Sequence, residues 1–199
     1  MPHTSLGQIV RLTCAGAAVM ALAACATAPN AGGAPYSMHD LRVCPGMAVA
    51  NAPPTGPGGM IINYAPVAVI RGTILARAPV DACLSSAFGP RSGGAGAMHL
   101  GLDLYTGAPR PVLAAGDGRV EWVREQKGYG LVIEIRHADG VATRYAHLSS
   151  VAPQIRAGAR VAAGEAIART GKSGNATAIH LHYEILIDGR QRDPLTIGG

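Results

Sequence analysis

The spacing of apolar and polar positions changes three times along the chain. From Leu12 to Ala24 the run LTCAGAAVMALAA carries no charge. From Ala26 to about Met60 Pro, Gly, Ala and Asn dominate, in stretches such as ATAPNAGGAPYSMHD and ANAPPTGPGGM, which predicts a semi-extended tether. At Ile61 the pattern turns apolar and β-branched (IINYAPVAVIRGTILARAPV), with Pro66 and Pro79 restricting it to edge or short strands. From Leu84 to Leu195 short apolar runs alternate with turn residues, predicting strands at about 112–115, 119–124, 130–137, 141–147, 166–169 and 181–187. Asp-Gly pairs beginning at Asp117, Asp139 and Asp188 sit between such runs and predict hairpin turns. The expected fold class is mainly all-β: one compact, antiparallel β-domain.

Composition sharpens this picture. Twenty-seven Gly and 14 Pro in 199 residues argue against a helical bundle, and 48% hydrophobic residues exclude a wholly disordered chain. With one Phe and one Trp, the core must be built from Val, Ile, Leu and Ala. The formal charge is +5, but the basic residues form no run and rings for stacking bases are few, so no nucleic-acid partner is expected.

The first apolar run, behind Arg11, has the length of a signal-peptide h-region and is too short to span a bilayer. It ends in Leu22-Ala23-Ala24-Cys25, which resembles the lipobox of bacterial lipoproteins, where the chain is cut before a cysteine that is then lipidated. Ala26 rather than Asp follows, which by resemblance to lipoprotein sorting in diderm bacteria implies the periplasmic side of the outer membrane. The expected organisation is a signal peptide at 1–24, a tether at 25–60 after lipidated Cys25, leading strands at 61–83 and the main domain at 84–199. With Cys14 in the signal and Cys25 lipidated, Cys44 and Cys83 are the two thiols left in an oxidising compartment and are expected to pair. Half of a metal site is the weaker alternative, since neither has a partner at C-x-x-C spacing. Removing Arg11 with the signal takes the charge from +5 to +4, which suits an anionic wall polymer.

Five of the seven histidines fall between 99 and 182. In Met98-His99-Leu100-Gly101-Leu102-Asp103 a period of two places His99, Gly101 and Asp103 together with the leucines opposite. In His180-Leu181-His182-Tyr183-Glu184-Ile185 the same period groups His180, His182 and Glu184. A third strand, from Val141 through Thr143 and Tyr145, adds His147 at its end. Two neutral imidazoles and one carboxylate suit a catalytic zinc with a fourth position left for water. A lone strand histidine is more often structural than a ligand; three such fragments in one small β-domain point to a site together.

These residues resemble the lysostaphin-type, or LytM-like, zinc endopeptidases that cut peptidoglycan peptides. The resemblance covers Ser86 to Leu195 and includes Ser86-Ala87-Phe88-Gly89-Pro90-Arg91, MHLGLDLYTGAPRPVLAAGDGRV, GYGLVIEIRHADGVATRYAHLS and GKSGNATAIHLHYEI. The H-x-x-x-D, Y-x-H-L and H-x-H elements stand in the family's order. The resemblance implies one zinc per chain bound by His99, Asp103 and His182, with His147 and His180 as catalytic histidines, in a groove floored by an antiparallel sheet and walled by loops. It makes residues 84–199 a zinc endopeptidase domain acting on peptidoglycan stem peptides, with a D,D-cross-link as the target expected in a thin wall. Ile179 stands where the family usually has Pro, and Tyr183 where Phe is common.

Around this set, Tyr145 is either an added donor or a packed sheet tyrosine. Glu184 is expected behind the site or at the surface, and His137 in a turn. His39 is a solvated tether residue or part of an inhibitory segment. Two other functions compete. One is a non-enzymatic activator of cell-wall amidases, as in relatives lacking ligands; the complete ligand set counts against it, although an amidase or regulatory protein remains a candidate partner. The other is a carrier domain, suggested by VAAGEAIARTG, but Lys172 between Gly171 and Ser173 sits at no suitable hairpin tip.

Overall fold

The computed structural model describes Met1, residues 40–91 and residues 98–198. Residues 2–39, which include the expected signal segment with Cys14, the expected lipidation site Cys25, His39 and residues 25–39 of the expected tether, lie outside the described residues. A hairpin of β1 (Val67–Ile70) and β2 (Thr73–Ala76) leads into β3 (Cys83–Ser86), followed by the short pair β4 (Gly89–Pro90) and β5 (Met98–His99). Then come β6 (Leu102–Tyr105), β7 (Pro111–Leu113), β8 (Gly118–Gln126), β9 (Gly130–Arg136) and β10 (Val141–Val151). The chain closes with β11 (Arg160–Val161), β12 (Ala166–Thr170), β13 (His180–Ile187) and β14 (Arg190–Arg192). The main sheet runs β11-β8-β9-β10-β13-β6-β3, with β14 added to β13 and β12 bridging β10 to β7. Every strand pairing is antiparallel, and the only helical element among the described residues is a 3-10 turn at Pro57–Gly59.

Alternation divides the sheet into two faces. On one, Leu102, Leu104, Ile133, Ile135, Leu181 and Ile185 are fully buried with Tyr145 and Tyr183. The Tyr183 hydroxyl donates to the Ala76 carbonyl of β2 at 2.9 Å, so the leading hairpin covers this face. Tyr145 is a packed core residue, as one of its two readings required. It belongs to a buried polar chain in which the Ala115 N–H donates to Tyr145, Tyr145 lies 2.9 Å from the Thr143 hydroxyl, and Thr143 lies 2.8 Å from His137 Nε2. His137 Nδ1 completes the chain at the Asp117 carbonyl, 2.7 Å away. His137 thus stands at the start of the connection after β9, where it was expected, and is buried and fully satisfied there.

Two of the three Asp-Gly pairs close hairpins. Asp139-Gly140 lies in the four-residue connection from β9 to β10 and Asp188-Gly189 is the two-residue turn from β13 to β14; φ is 52° and 74° in the first pair and 49° and 73° in the second, left-handed values that Asp and Gly tolerate. Arg71 at the β1–β2 turn donates to the Asp139 carbonyl at 2.7 Å and to both Asp188 carboxylate oxygens at 2.9 and 2.7 Å, tying the three tips together. Asp117-Gly118 makes no hairpin, because β7 pairs with β12 while β8 pairs with β9 and β11. There Gly118 serves close approach: a Cβ would stand 2.7 Å from the Arg136 carbonyl.

Residues 40–60, read from sequence as part of a semi-extended tether, pack against the domain. Leu41 is fully buried, Val43 and Ala50 bridge in parallel to Leu84 and Ser86 of β3, and backbone bonds of 2.8 to 2.9 Å join the two segments. β3 is an outer strand of the sheet, and its unpaired N–H and C=O groups take an irregular, proline-rich partner that shows no period in sequence. Cys44 and Cys83 form a disulfide across this contact, with Cα atoms 4.9 Å apart and a separation of 39 positions in the chain.

Two outcomes follow. Replacing both cysteines by serine should lower unfolding stability in denaturant titrations by about 4 kcal/mol, the loop-entropy value for a link of this span. Burial lowers the His137 pKa below its ordinary 6.5, so its stabilising contribution is complete above about pH 6.5 and is lost as pH falls. The melting temperature of wild type should therefore drop more between pH 7 and pH 5 than that of His137→Gln; parallel curves would refute the role given to this imidazole.

Candidate metal centre

β13 lies between β6 and β10, and its register fixes the site: His182 is directly opposite Asp103 on one side and Ala146 on the other. His99, at the end of β5, reaches the same point because the chain turns at Leu100-Gly101. Gly101 is required there, since a Cβ would lie 2.2 Å from the Tyr183 carbonyl oxygen. His99 Nε2, His182 Nδ1 and Asp103 Oδ1 form a triangle with edges of 3.2, 2.9 and 3.1 Å. Bonds of about 2.0–2.1 Å to a tetrahedral zinc imply donor separations of about 3.3 Å, so the triangle fits such an ion. Among the described residues these three are the group of His, Cys, Asp and Glu side chains gathered closely enough to hold a metal.

Each ring is turned by the partner of its other nitrogen. His99 Nδ1 lies 2.7 Å from the Ala87 carbonyl, and His182 Nε2 lies 3.1 Å from Glu184 Oε1, contacts that use the N–H and leave a lone pair facing the triangle. His180 Nδ1 donates to the Ala178 carbonyl at 2.9 Å and His147 Nδ1 to the Ser173 carbonyl at 2.8 Å, freeing Nε2 in both. His180 Nε2 stands 3.5 Å from Asp103 Oδ1, and the His147 ring centroid is 4.8 Å from that of His180. All five residues singled out in sequence thus meet at one place, on the wall of an open-sided cavity of about 350 Å³.

His147 arrives against the alternation that suggested it. Val141, Thr143 and Tyr145 point into the core, and unbroken alternation would send His147 with them. Instead the register against β9 slips between Tyr145 and Leu148, and His147 adopts φ 60°. This bulge turns the imidazole to the site face, at a conformational cost of about 1–3 kcal/mol for a non-glycine residue.

Glu184 is fully buried, so of its two expected places it occupies the one behind the site. Besides His182 it accepts from Tyr129 at 2.6 Å, Arg144 at 2.9 Å and Gln191 at 3.2 Å, and Arg144 continues to Glu134 at 2.7 Å. Burial alone would lower the His182 pKa, but Asp103 and Glu184 outweigh it and lift it to about 9. Burial would raise Asp103 and Glu184, yet their histidine, tyrosine and arginine partners pull both below the ordinary carboxylate range. Two ionised, buried carboxylates around a histidine demand a cation, either a proton or a metal. Burial pushes His147 down to about 4, keeping it neutral near pH 7.

Arg91, Tyr129 and the carbonyls of Ala87, Ser173 and Ala178 were not identified as site residues from sequence. Arg91 donates to Asp103 Oδ2 at 3.2 Å. Its position in Phe88-Gly89-Pro90-Arg91 was the available signal; the carbonyls leave none, since any residue type supplies one.

Residues 97–194 match the model of peptidase family M23. The chain is 39% identical over 100 residues to the DD-carboxypeptidase/endopeptidase Mpg of Neisseria meningitidis, covering 50% of this chain and 23% of that protein. It is 36% identical over 126 residues to the peptidoglycan DD-endopeptidase ShyC of Vibrio cholerae, covering 61% of this chain and 29% of the relative. The chain thus spans under a third of the length of these curated relatives. Among solved structures, a zinc-containing peptidase of Vibrio cholerae superposes with a TM-score of 0.57 at 30% identity, over 65% of this chain and 45% of that one. The catalytic domain of the prophage-encoded M23 protein EnpA of Enterococcus faecalis, crystallised as a point mutant, gives 0.54 at 31% identity over 61% of this chain and 93% of its own. Since nearly the whole of that catalytic domain finds its counterpart here, the chain belongs to peptidase family M23.

Proposed function

We propose that this protein is a zinc-dependent endopeptidase that hydrolyses peptide cross-links of peptidoglycan, with the D,D-bond between stem peptides as its target. The observation that carries this reading is the three-donor triangle flanked by two imidazoles whose Nε2 lone pairs are free. His99, Asp103 and His182 would hold the ion. When bound, zinc supplies Lewis-acid chemistry, a more acidic water and a polarised carbonyl. His180 Nε2 is placed to take the proton of the attacking water and pass it to the leaving amine. His147, neutral and anchored at Ser173, orients the water beside it. Arg91 and Glu184 hold Asp103 and His182 in place from outside the triangle. The complete donor set argues against the non-enzymatic activator reading.

The lipid anchor on Cys25, the signal peptide at 1–24 and the periplasmic side of the outer membrane belong to the same proposal, supported by the h-region and lipobox pattern in sequence. A peptidoglycan hydrolase tethered there would face a thin wall.

Substitution separates the two histidines of the H-x-H. His182→Ala should bring zinc far below one per chain and abolish cleavage of purified cross-linked muropeptides. His180→Ala should keep its zinc and lose roughly 100- to 10,000-fold in turnover. Equal zinc loss in both would show the assignment to be wrong. For the anchor, labelled palmitate should enter the protein in cells and Cys25→Ala should abolish the labelling; a mutant labelled like wild type overturns lipidation.

A further inference from the structure

The face of the sheet that carries the metal centre continues away from it across β10, β9, β8 and β11. Its course is fixed by directly opposed residues: Arg144 faces Glu184 and Glu134, and Trp122 faces Glu134. Two residues further along β9 stands Arg136, which is opposite Arg119 of β8, which is in turn opposite Arg160 of β11. Three arginines therefore occupy one register on three adjacent strands, all exposed on the face shared with His182. Counting strand rise and spacing, this row lies roughly 16 to 23 Å from His182. The three line a shallow pocket of about 460 Å³ with Asp117 and Ala138.

Like charges directly opposite one another on a sheet are destabilising, and removing any one would relieve that. Little in the fold offsets the cost. Arg136 pairs with Glu121 at 2.6 Å on the exposed surface, where such a pair is worth little, and Arg119 donates to the Gly158 carbonyl. The Arg160 side chain makes no hydrogen bond or ion pair among the described residues. The row presents planar forks suited to carboxylates, and it lies on the face where, on the function proposed above, the wall polymer is cut.

We propose that Arg119, Arg136 and Arg160 form a carboxylate-binding site for peptidoglycan, outside the metal centre, which grips a stem peptide other than the one being cleaved. The site rests on the reading of the protein as a peptidoglycan hydrolase. A polymer with a carboxylate-bearing peptide at each repeat supplies both the anion and the reach that the separation requires. Trp122, the single tryptophan of the chain, lies on the same face between the row and the centre, with Arg124 3.9 Å above its ring, and reports on the approach of a ligand.

The test is sedimentation of the zinc-loaded full chain with purified sacculi, in a His180→Ala background so that the polymer stays intact. The triple substitution Arg119→Gln, Arg136→Gln and Arg160→Gln should weaken binding by about tenfold or more and flatten its dependence on salt. Amidating the carboxylates of the sacculi should weaken the unsubstituted protein to the same extent, and Trp122 fluorescence should respond to untreated muropeptides but not to amidated ones. Arg160→Gln alone keeps the fold in view: its melting temperature should not fall, while its binding weakens. Unchanged binding of the triple variant, or indifference to amidation, overturns the proposal. Loss of binding to phosphatidylglycerol vesicles with sacculus binding intact overturns it in favour of a membrane contact. Cleavage of muropeptides by the protein with His180 intact is scored separately, so failure of the hydrolase reading and failure of this site give different results.

Discussion

The pairing of His182 with Asp103 across β13 and β6 is the constraint on which the site depends. A slip of one residue would turn His180, His182 and Glu184 into the core and bring Leu181, Tyr183 and Ile185 to the cavity. The apolar side prevents it. Leu181, Tyr183 and Ile185 are fully buried on a face closed by the leading hairpin, and Tyr183 is tied to Ala76 across that face. The same burial that stabilises the fold thus fixes the metal donors to within a few tenths of an ångström of where an ion would want them.

Behind the donors lies a continuous line of opposite charges, from His182 through Glu184 and Arg144 to Glu134. Removing such groups from water is expensive, and only complete hydrogen bonding makes it tolerable. Here Glu184 has four partners on its two oxygens. The arrangement leaves His182 a single way to face, and it concentrates negative charge beneath the ion's position. A similar economy places the other imidazoles: His180 and His147 are each aimed by one backbone carbonyl, and His99 by the Ala87 carbonyl with the Ser86 hydroxyl 3.2 Å from the same nitrogen.

The two faces of the sheet have different tasks. One is sealed by aliphatic side chains and two tyrosines, and contains a satisfied polar chain ending at His137. The other carries the polar site residues among a few buried apolar positions such as Val132 and Leu186, with the donor triangle near one end of the strands and the arginine row near the other. Such a face has no packing partner to satisfy its charges, so they are paired with each other or left to solvent and ligand.

How much of this was legible in the chain follows from what each feature depends on. The six expected strands of the domain, the two Asp-Gly hairpins at Asp139 and Asp188, the all-β class and the face shared by His180, His182 and Glu184 rest on local period and turn chemistry, which are properties of consecutive residues. The linear H-x-x-x-D, Y-x-H-L and H-x-H elements likewise pointed to one centre. Three things were decided only in three dimensions. Whether Asp117-Gly118 closes a hairpin depends on which strands pair, and β7 pairs elsewhere. Whether residues 40–60 hang free depends on an outer strand offering its backbone, which composition does not register. His147 reaches the site through a bulge that reverses the alternation, because β9 and β10 meet there with one residue too many. Sequence determined which residues carry the chemistry, through their types and local spacing; tertiary structure decided which nitrogen of each imidazole is free and where it points, because that is set by the carbonyls of Ala87, Ser173 and Ala178 and by the Glu184 carboxylate, whose positions follow from how the strands and loops assemble.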